Sequence, residues 1–289
     1  MKKRICILLS GKIIFYSALG QAGFQATLLN KSDSSRIPYA TVKILHKPAG
    51  TSSDEGGLFQ LPAEPGDTLL ISSIGFKDTL IPLANRPPDI FYLSPVVKEL
   101  AEVIATKKIL LGTETLGITQ AENDFDWGPS GLGEEFAQLI RIPRAGHGHY
   151  VKVVKVSLLI KRFDPAVPVL LHIYTKHVRT GLPDQELLLQ PVLVAKKDIK
   201  KGKIVINLSD SDVYIEEEDI FVGFQWLRYS GTGKRSMAGT LLKMTNDLAD
   251  VVTYSRTYTA RDYHWFPAPL DPAGNRPGNT MFSIEIERY

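Results

Sequence analysis

Cysteine is almost missing from this sequence: Cys6 is the single one in 289 residues. One cysteine forms no intramolecular disulfide framework and no cysteine-rich zinc cluster, and thiol chemistry is confined to a position near the N-terminus. Long hydrophobic runs are missing too. The apolar stretches at 5–9 and 13–19 are separated by Lys12, and neither approaches the ~20 residues that span a bilayer. No transmembrane span is expected. A strong charge of one sign is also lacking, with 34 Lys and Arg against 31 Asp and Glu. Four of the basic residues, Lys2, Lys3, Arg4 and Lys12, lie in the first 22 positions, where there is no acid. The 34 less these four leave 30 against 31 acids, so +3 becomes −1 for the rest. No basic surface capable of holding nucleic acid is therefore expected.

What is present begins with a targeting pattern. Met1-Lys2-Lys3-Arg4 forms a basic head, the apolar stretch follows, and Gly20 and Ala22 supply small residues before Gly23. Residues 1–22 are read as a signal peptide, and the protein as exported. The competing readings are a first β-strand or a short membrane anchor. Cys6 has too little apolar sequence before it to serve as a lipid-attachment site.

Short strands punctuated by turns fill the next eighty residues. In 39–45, Ala40, Val42 and Ile44 alternate with Tyr39, Thr41, Lys43 and Leu45, the period of two that puts alternate side chains on opposite faces. Asp54-Glu55-Gly56-Gly57 reads as a hairpin turn and Pro65-Gly66-Asp67 as a second tight turn. Residues 68–74 are rich in β-branched and apolar side chains. No helical period interrupts this spacing, so the class is all-β.

Several separate motifs in this stretch fall in a familiar order: Ile37-Pro38-Tyr39-Ala40-Thr41-Val42, then Gly50 through Phe59, then Gly66-Asp67-Thr68-Leu69, then Ser72-Ser73-Ile74-Gly75-Phe76. Together with Leu93 and Leu100-Ala101-Glu102-Val103, they resemble the carboxypeptidase-regulatory-like domain common in Bacteroidetes envelope proteins. The resemblance covers 23–105 and implies a seven-stranded, transthyretin-like sandwich. Gly56 stands where that family often has Asn, and serves the same turn geometry. In carboxypeptidases this domain is an appendage outside the catalytic unit. Zinc peptidases of that type need His followed three positions later by Glu, and none of the six histidines (His46, His147, His149, His172, His177, His264) is so followed. The resemblance therefore implies a scaffold without carboxypeptidase activity.

Residues 106–132 are polar and glycine-rich and read as a linker or wrapping segment, with Phe125 and Trp127 as docking points. From 133 a second module begins. Residues 136–142 suit a helical turn or an edge strand equally. The stretch 151–163 alternates as a strand, and 169–174, 187–194, 204–208, 220–227, 241–244, 251–254 and 281–286 supply more. This pattern suggests a jelly-roll-like sandwich over 133–289. Its order of motifs, from His172-Ile173-Tyr174 to Asp219-Ile220-Phe221-Val222-Gly223-Phe224-Gln225-Trp226, is similar to the C-terminal half of two-domain Bacteroidetes proteins with the same first domain. That similarity implies no particular activity.

Sequence motifs for chemistry are weak. His147-Gly148-His149 lies beside Arg144 and Lys152, cationic neighbours that oppose a metal. Asp210-Ser211-Asp212 and Glu216-Glu217-Glu218-Asp219 are oxygen-rich, but lack the alternate-ligand spacing and glycine turn of a calcium loop. They read as solvated loops, with a structural calcium kept as the lesser alternative and no other cofactor expected. Gly231-Thr232-Gly233-Lys234 has the wrong spacing for a phosphate loop, and Gly-x-Ser-x-Gly does not occur. The last third concentrates aromatics: Trp226, which alternates as core, then Tyr229, Tyr254, Tyr258, Tyr263, Trp265 and Phe266. Tyr258, Arg261, Asp262, Tyr263 and Trp265 mix ring faces with hydrogen-bonding groups, as sugar recognition requires, and form the candidate binding set. The expectation is a non-catalytic exported envelope protein, located in the periplasm, at the outer membrane or on the cell surface. Its partner would be a glycan or an envelope protein, such as an outer-membrane transporter complex. The alternatives are a hydrolase with a site at the domain junction and a purely structural surface protein.

Overall fold

The computed structural model describes residues 23–96, 109–130, 133–143, 150–215, 219–227, 239–248, 250, 252–257, 264–270, 274, 276 and 278–289. The expected signal segment, Cys6, Leu100-Ala101-Glu102-Val103, His147 and His149, Glu216-Glu217-Glu218 and Gly231-Thr232-Gly233-Lys234 lie outside them. Among the described residues there is no α-helix, hence none long and apolar enough to cross a membrane. The protein is an all-β, sandwich-type fold.

The first seven strands are β1 (Phe24–Asn30), β2 (Thr41–Ile44), β3 (Gly50–Ser52), β4 (Leu58–Leu61), β5 (Thr68–Ser72), β6 (Thr79–Pro82) and β7 (Ile90–Leu93). They make two sheets, in the orders β4-β1-β7 and β3-β2-β5-β6. Alternation explains the packing: Phe59 and Leu61 of β4, and Leu69 and Ile71 of β5, turn inward against Leu28, Val42, Ile44 and Leu93. The 54–57 turn does not close a hairpin as the sequence suggests. It carries the chain from β3 in one sheet to β4 in the other, and Asp54 Oδ1 fixes it by accepting the amides of Gly56 and Leu58 at 2.9 Å each.

The later strands are β8 (Gly112–Gly117), β9 (Asp124–Trp127), β10 (Glu135–Ile140), β11 (Val151–Arg162), β12 (Val169–Lys176), β13 (Pro183–Glu186), β14 (Val192–Leu193), β15 (Ile199–Lys200), β16 (Lys203–Asn207), β17 (Tyr214–Ile215), β18 (Ile220–Trp226), β19 (Leu241–Thr245), β20 (Thr253–Arg256), β21 (Phe266–Pro267), β22 (Asn279–Thr280) and β23 (Phe282–Arg288). One sheet runs β13-β12-β18-β10-β20-β21 with β14 beside β12. The other runs β15-β16-β11-β19-β22, with β17 and β23 on β11, β8 on β23 and β9 on β19. Phe136, Val156, Leu158, Leu171, Phe224, Trp226, Phe282 and Ile284 fill the space between them, each such burial contributing about 1.5–3 kcal/mol.

One reading narrows here and one changes. Of the linker and wrapping alternatives, the described part of 106–132 wraps, with Phe125 and Trp127 packed on the second core; it does so as two paired strands, because glycines at 112 and 117 bound β8 and break the visible period without breaking the ladder to β23. Residues 135–140 are neither helix nor edge: β10 lies between β18 and β20. Five of its six side chains are buried, so no polar alternation advertises a strand.

The two sandwiches touch. Ser52 Oγ of β3 donates to the carbonyl of Leu227 at 2.8 Å. Tyr39 and Ile74 pack into the second core rather than the first. Gly75, at φ +83°, faces the carbonyl of Leu189, which a Cβ there would approach to 2.6 Å. The junction thus lies against the same sheet that carries β18 and β12.

Candidate functional site

Every residue of β18 is buried. Ile220, Val222, Phe224 and Trp226 face the core between the sheets, which leaves Phe221, Gly223 and Gln225 for the opposite face. Register brings four strands together there: Gly223 lies opposite His172 of β12 and Ala137 of β10. Gln225 lies opposite Glu135, which in turn pairs with Arg256 of β20. The face is covered rather than solvated, and it is polar at its centre.

Glu135 is fully buried, and its carboxylate is shared between two donors. Tyr174 donates its hydroxyl to Oε1 at 2.7 Å, and Arg256 Nε donates to Oε2 at 2.8 Å. Arg256 Nη2 closes the triangle by donating to the Tyr174 oxygen at 3.0 Å. The guanidinium also lies 4.3 Å from the Trp265 ring centroid, a cation–π arrangement. Beside this triad, His172 Nδ1 lies 2.7 Å from Glu186 Oε2, and its Nε2 lies 3.2 Å from Gln225 Oε1. The other oxygen of Glu186 accepts the amides of Ile173 and Leu188, both at 3.0 Å. The rings of His172 and Tyr174 stack with centroids 5.3 Å apart and planes 7° from parallel. Gly223 makes room for all of this: a Cβ would meet Glu135 Oε1 at 2.9 Å and His172 Cβ at 3.0 Å.

The environment shifts two of these groups. Burial pushes the Tyr174 phenol well above its ordinary value, and the charge of Glu135 adds to that. For His172, burial acts downward, but the charge of Glu135 and the hydrogen bond and charge of Glu186 outweigh it. The imidazole is held above its ordinary value despite the opposing charge of Arg256. Buried charges next to charges of opposite sign keep their ionised forms.

At the junction a cleft of about 160 Å³ is lined by Tyr39, Ser52, Ser53, Asp54, Glu55, Pro168 and Leu227. Tyr39 holds a left-handed backbone at φ +59°, strained for a bulky residue. Burial, then the charges of Glu55 and Asp54, raise its hydroxyl's pKa. Cleft and polar layer are joined through Gln225, whose amide nitrogen lies 3.5 Å from Thr41 Oγ1 of β2.

Of the binding set expected from sequence, Tyr258, Arg261, Asp262 and Tyr263 lie outside the described residues. Trp265 is half-buried, with Tyr174 edge-on at 5.9 Å and Arg256 on its face; it seals the polar layer rather than presenting a bare platform. Its neighbours do face solvent: His264 and Phe266 are exposed, with ring centroids 3.9 Å apart. Trp226 is core, its Nε1 donating to the carbonyl of Thr240 at 3.0 Å, and Tyr254 packs on Phe221. Asp219 accepts from Lys176, and no group of three metal-ligating side chains occurs among the described residues. Sequence reasoning missed Glu135, His172, Glu186, Gln225 and Arg256. They are spread over 122 positions and show no motif; the acids Glu134 and Glu135 directly before the apolar stretch at 136–142 are the one available signal.

No protein-family model matches the chain, and neither does any curated protein. Among solved structures, the chain is similar to a clostridial cysteine protease after propeptide cleavage. Sequence identity is 9%, 92% of this chain and 70% of that one are covered, and the TM-score is 0.41. A likeness at that level carries nothing about the site.

Proposed function

We propose that this chain is a non-catalytic, exported envelope protein that acts as a binding or accessory module for a glycan or a protein partner. The observation that carries the reading is how the aromatic segment at 264–266 is built. Trp265 anchors inward on Arg256 and Tyr174, while His264 and Phe266 are left exposed beside β20. Aromatic rings exposed at a surface stack on sugar rings or on a partner's apolar side chains. The polar layer behind them supports the same reading. Its carboxylates are committed to Tyr174, Arg256, His172 and backbone amides, which is how a scaffold satisfies buried charge.

The wider context is part of the proposal. Over 23–105 the resemblance to carboxypeptidase-regulatory-like domains, together with the leader pattern at 1–22, supports placement in a bacterial envelope, with an outer-membrane transporter complex as a fitting partner. A hydrolase at the junction is the second reading; it draws on the cleft, where the Tyr39 hydroxyl is near Asp54 and Glu55.

The test is glycan-array binding and envelope pull-down by the purified chain, with Phe266→Ala and Trp265→Ala compared. Phe266→Ala is expected to abolish binding with unfolding unchanged, and Trp265→Ala to reduce both. Binding that survives Phe266→Ala defeats the surface assignment. Turnover of a peptide or glycoside panel, lost on Tyr39→Phe, favours the hydrolase.

A further inference from the structure

The polar layer reaches across the junction, and the path runs through one imidazole. Both ring nitrogens of His172 face oxygen atoms: Nδ1 faces Glu186 Oε2 of β13 at 2.7 Å, and Nε2 faces Gln225 Oε1 of β18 at 3.2 Å. A neutral imidazole carries one N–H, whereas an imidazolium carries two. The geometry around His172 is therefore made for the imidazolium, which donates on both sides. Among the described residues, the other charged and titratable groups on this face are Glu135 from β10, Arg256 and Tyr254 from β20, and Tyr174 from His172's own strand. Glu135 and Glu186 together outweigh Arg256.

Gln225 passes the state of His172 onward. While its carbonyl accepts from His172, its amide nitrogen is directed at Thr41 Oγ1, on the outer face of the first sandwich. We infer that protonation of His172 sets the orientation of the Gln225 amide and thereby tightens or loosens the contact between the two sandwiches. When the ring gives up a proton, Nδ1 keeps its hydrogen for Glu186, because a charge-assisted bond is the stronger of the two. Nε2 then presents a lone pair to the lone pairs of Gln225 Oε1. The amide turns over to donate to Nε2, and its oxygen now meets the oxygen of Thr41. That hydroxyl has to reverse its own hydrogen or lose the contact. Ser52, whose Oγ holds the Leu227 carbonyl, and Tyr39 in the adjoining cleft feel the change, because β2 and β3 pair at Thr41 and Ser52. The junction is thus tighter at Thr41 in acid and looser there as pH rises, while Ser52, Tyr39 and Ile74 hold the two sandwiches together in both states.

Linkage makes this testable from either end, since a proton that strengthens the junction must be bound more tightly when the junction is intact. The full chain, labelled at its histidines, is titrated by NMR; the His172 signal is the one missing from His172→Gln. The backbone amides of Thr41 and Ser52 are followed in the same samples. The expected result is a His172 midpoint above that of an ordinary histidine, with both amides moving at that same midpoint. In Thr41→Val the midpoint falls by roughly half a unit to one unit, the size of one neutral hydrogen bond, while Thr41→Ser keeps the parent value. A midpoint unchanged in Thr41→Val overturns the inference. So do Thr41 and Ser52 amides that stay still through the titration of His172, a result that needs no variant.

Discussion

Arg256→Met tests the energetics of the buried layer. Glu135 has no exposed surface, and Arg256 is about four-fifths buried. The substitution keeps the stem that packs near Trp265 but removes the cation 2.8 Å from Glu135 Oε2. Among the described residues, the one hydrogen bond left to that carboxylate is from the Tyr174 hydroxyl, itself deprived of the donor that oriented its oxygen, and His172 acts on it only through its charge. Breaking one partner out of a buried pair costs about 3–5 kcal/mol, because the other charge stays desolvated and unpaired. Losing the cation–π contact with Trp265 adds roughly 0.5–2 kcal/mol. With a urea slope of about 2 kcal/mol per molar, the unfolding midpoint moves down by about 2–3.5 M. Adding Glu135→Gln to Arg256→Met removes the stranded charge and should return half or more of that loss. The assay is urea unfolding followed by far-UV circular dichroism on parent, single and double variants. A loss of about 1 kcal/mol or less for Arg256→Met, as exposed pairs give, would show that Glu135 does not depend on this cation, and so would a double variant no more stable than the single one.

Gly223→Ala forces a methyl group to within 2.9–3.1 Å of Glu135, His172 and Tyr174, and should destabilise the second sandwich by about 1–3 kcal/mol in the same unfolding assay. Gly75→Ala brings a Cβ to 2.6 Å from the Leu189 carbonyl at a left-handed position; faster proteolysis at the junction, with the second sandwich's unfolding unchanged, is the expected readout. The pH dependence has a definite sign. His172 is raised in the folded chain, so its stabilising contribution is complete below the unfolded value of about 6.5 and is lost as pH rises through the folded value. Stability measured across that window should fall with rising pH, and His172→Gln should flatten the fall. Tyr174, raised well above its ordinary range, predicts a further loss of stability above pH ~10, absent in Tyr174→Phe.

Much of the fold is legible in the sequence because one-sided strands announce themselves. The alternation of 151–162 and the β-branched run at 68–72 give β11 and β5 directly. β18, buried throughout, is still legible as the apolar stretch 220–227, whereas β10 mixes charged, polar, small and apolar residues, since its outer face is covered by the polar layer and Trp265. The site was less legible than the fold for a related reason. Glu135, His172, Glu186, Gln225 and Arg256 come from five strands, and only the register of the sheet brings Gly223 opposite His172 and Gln225 opposite Glu135. Trp265 was visible as an aromatic among polar neighbours, but its role depends on whether Arg256 lies on its face, which no local spacing reveals.

Whether the proposed surface binds without doing chemistry is decided by incubating the purified chain with peptide and glycoside panels while measuring binding to the same compounds. The expected result is saturable binding to at least one compound, lost in Phe266→Ala, with every compound recovered intact. Cleavage that disappears when Glu135 or Tyr39 is substituted would contradict it.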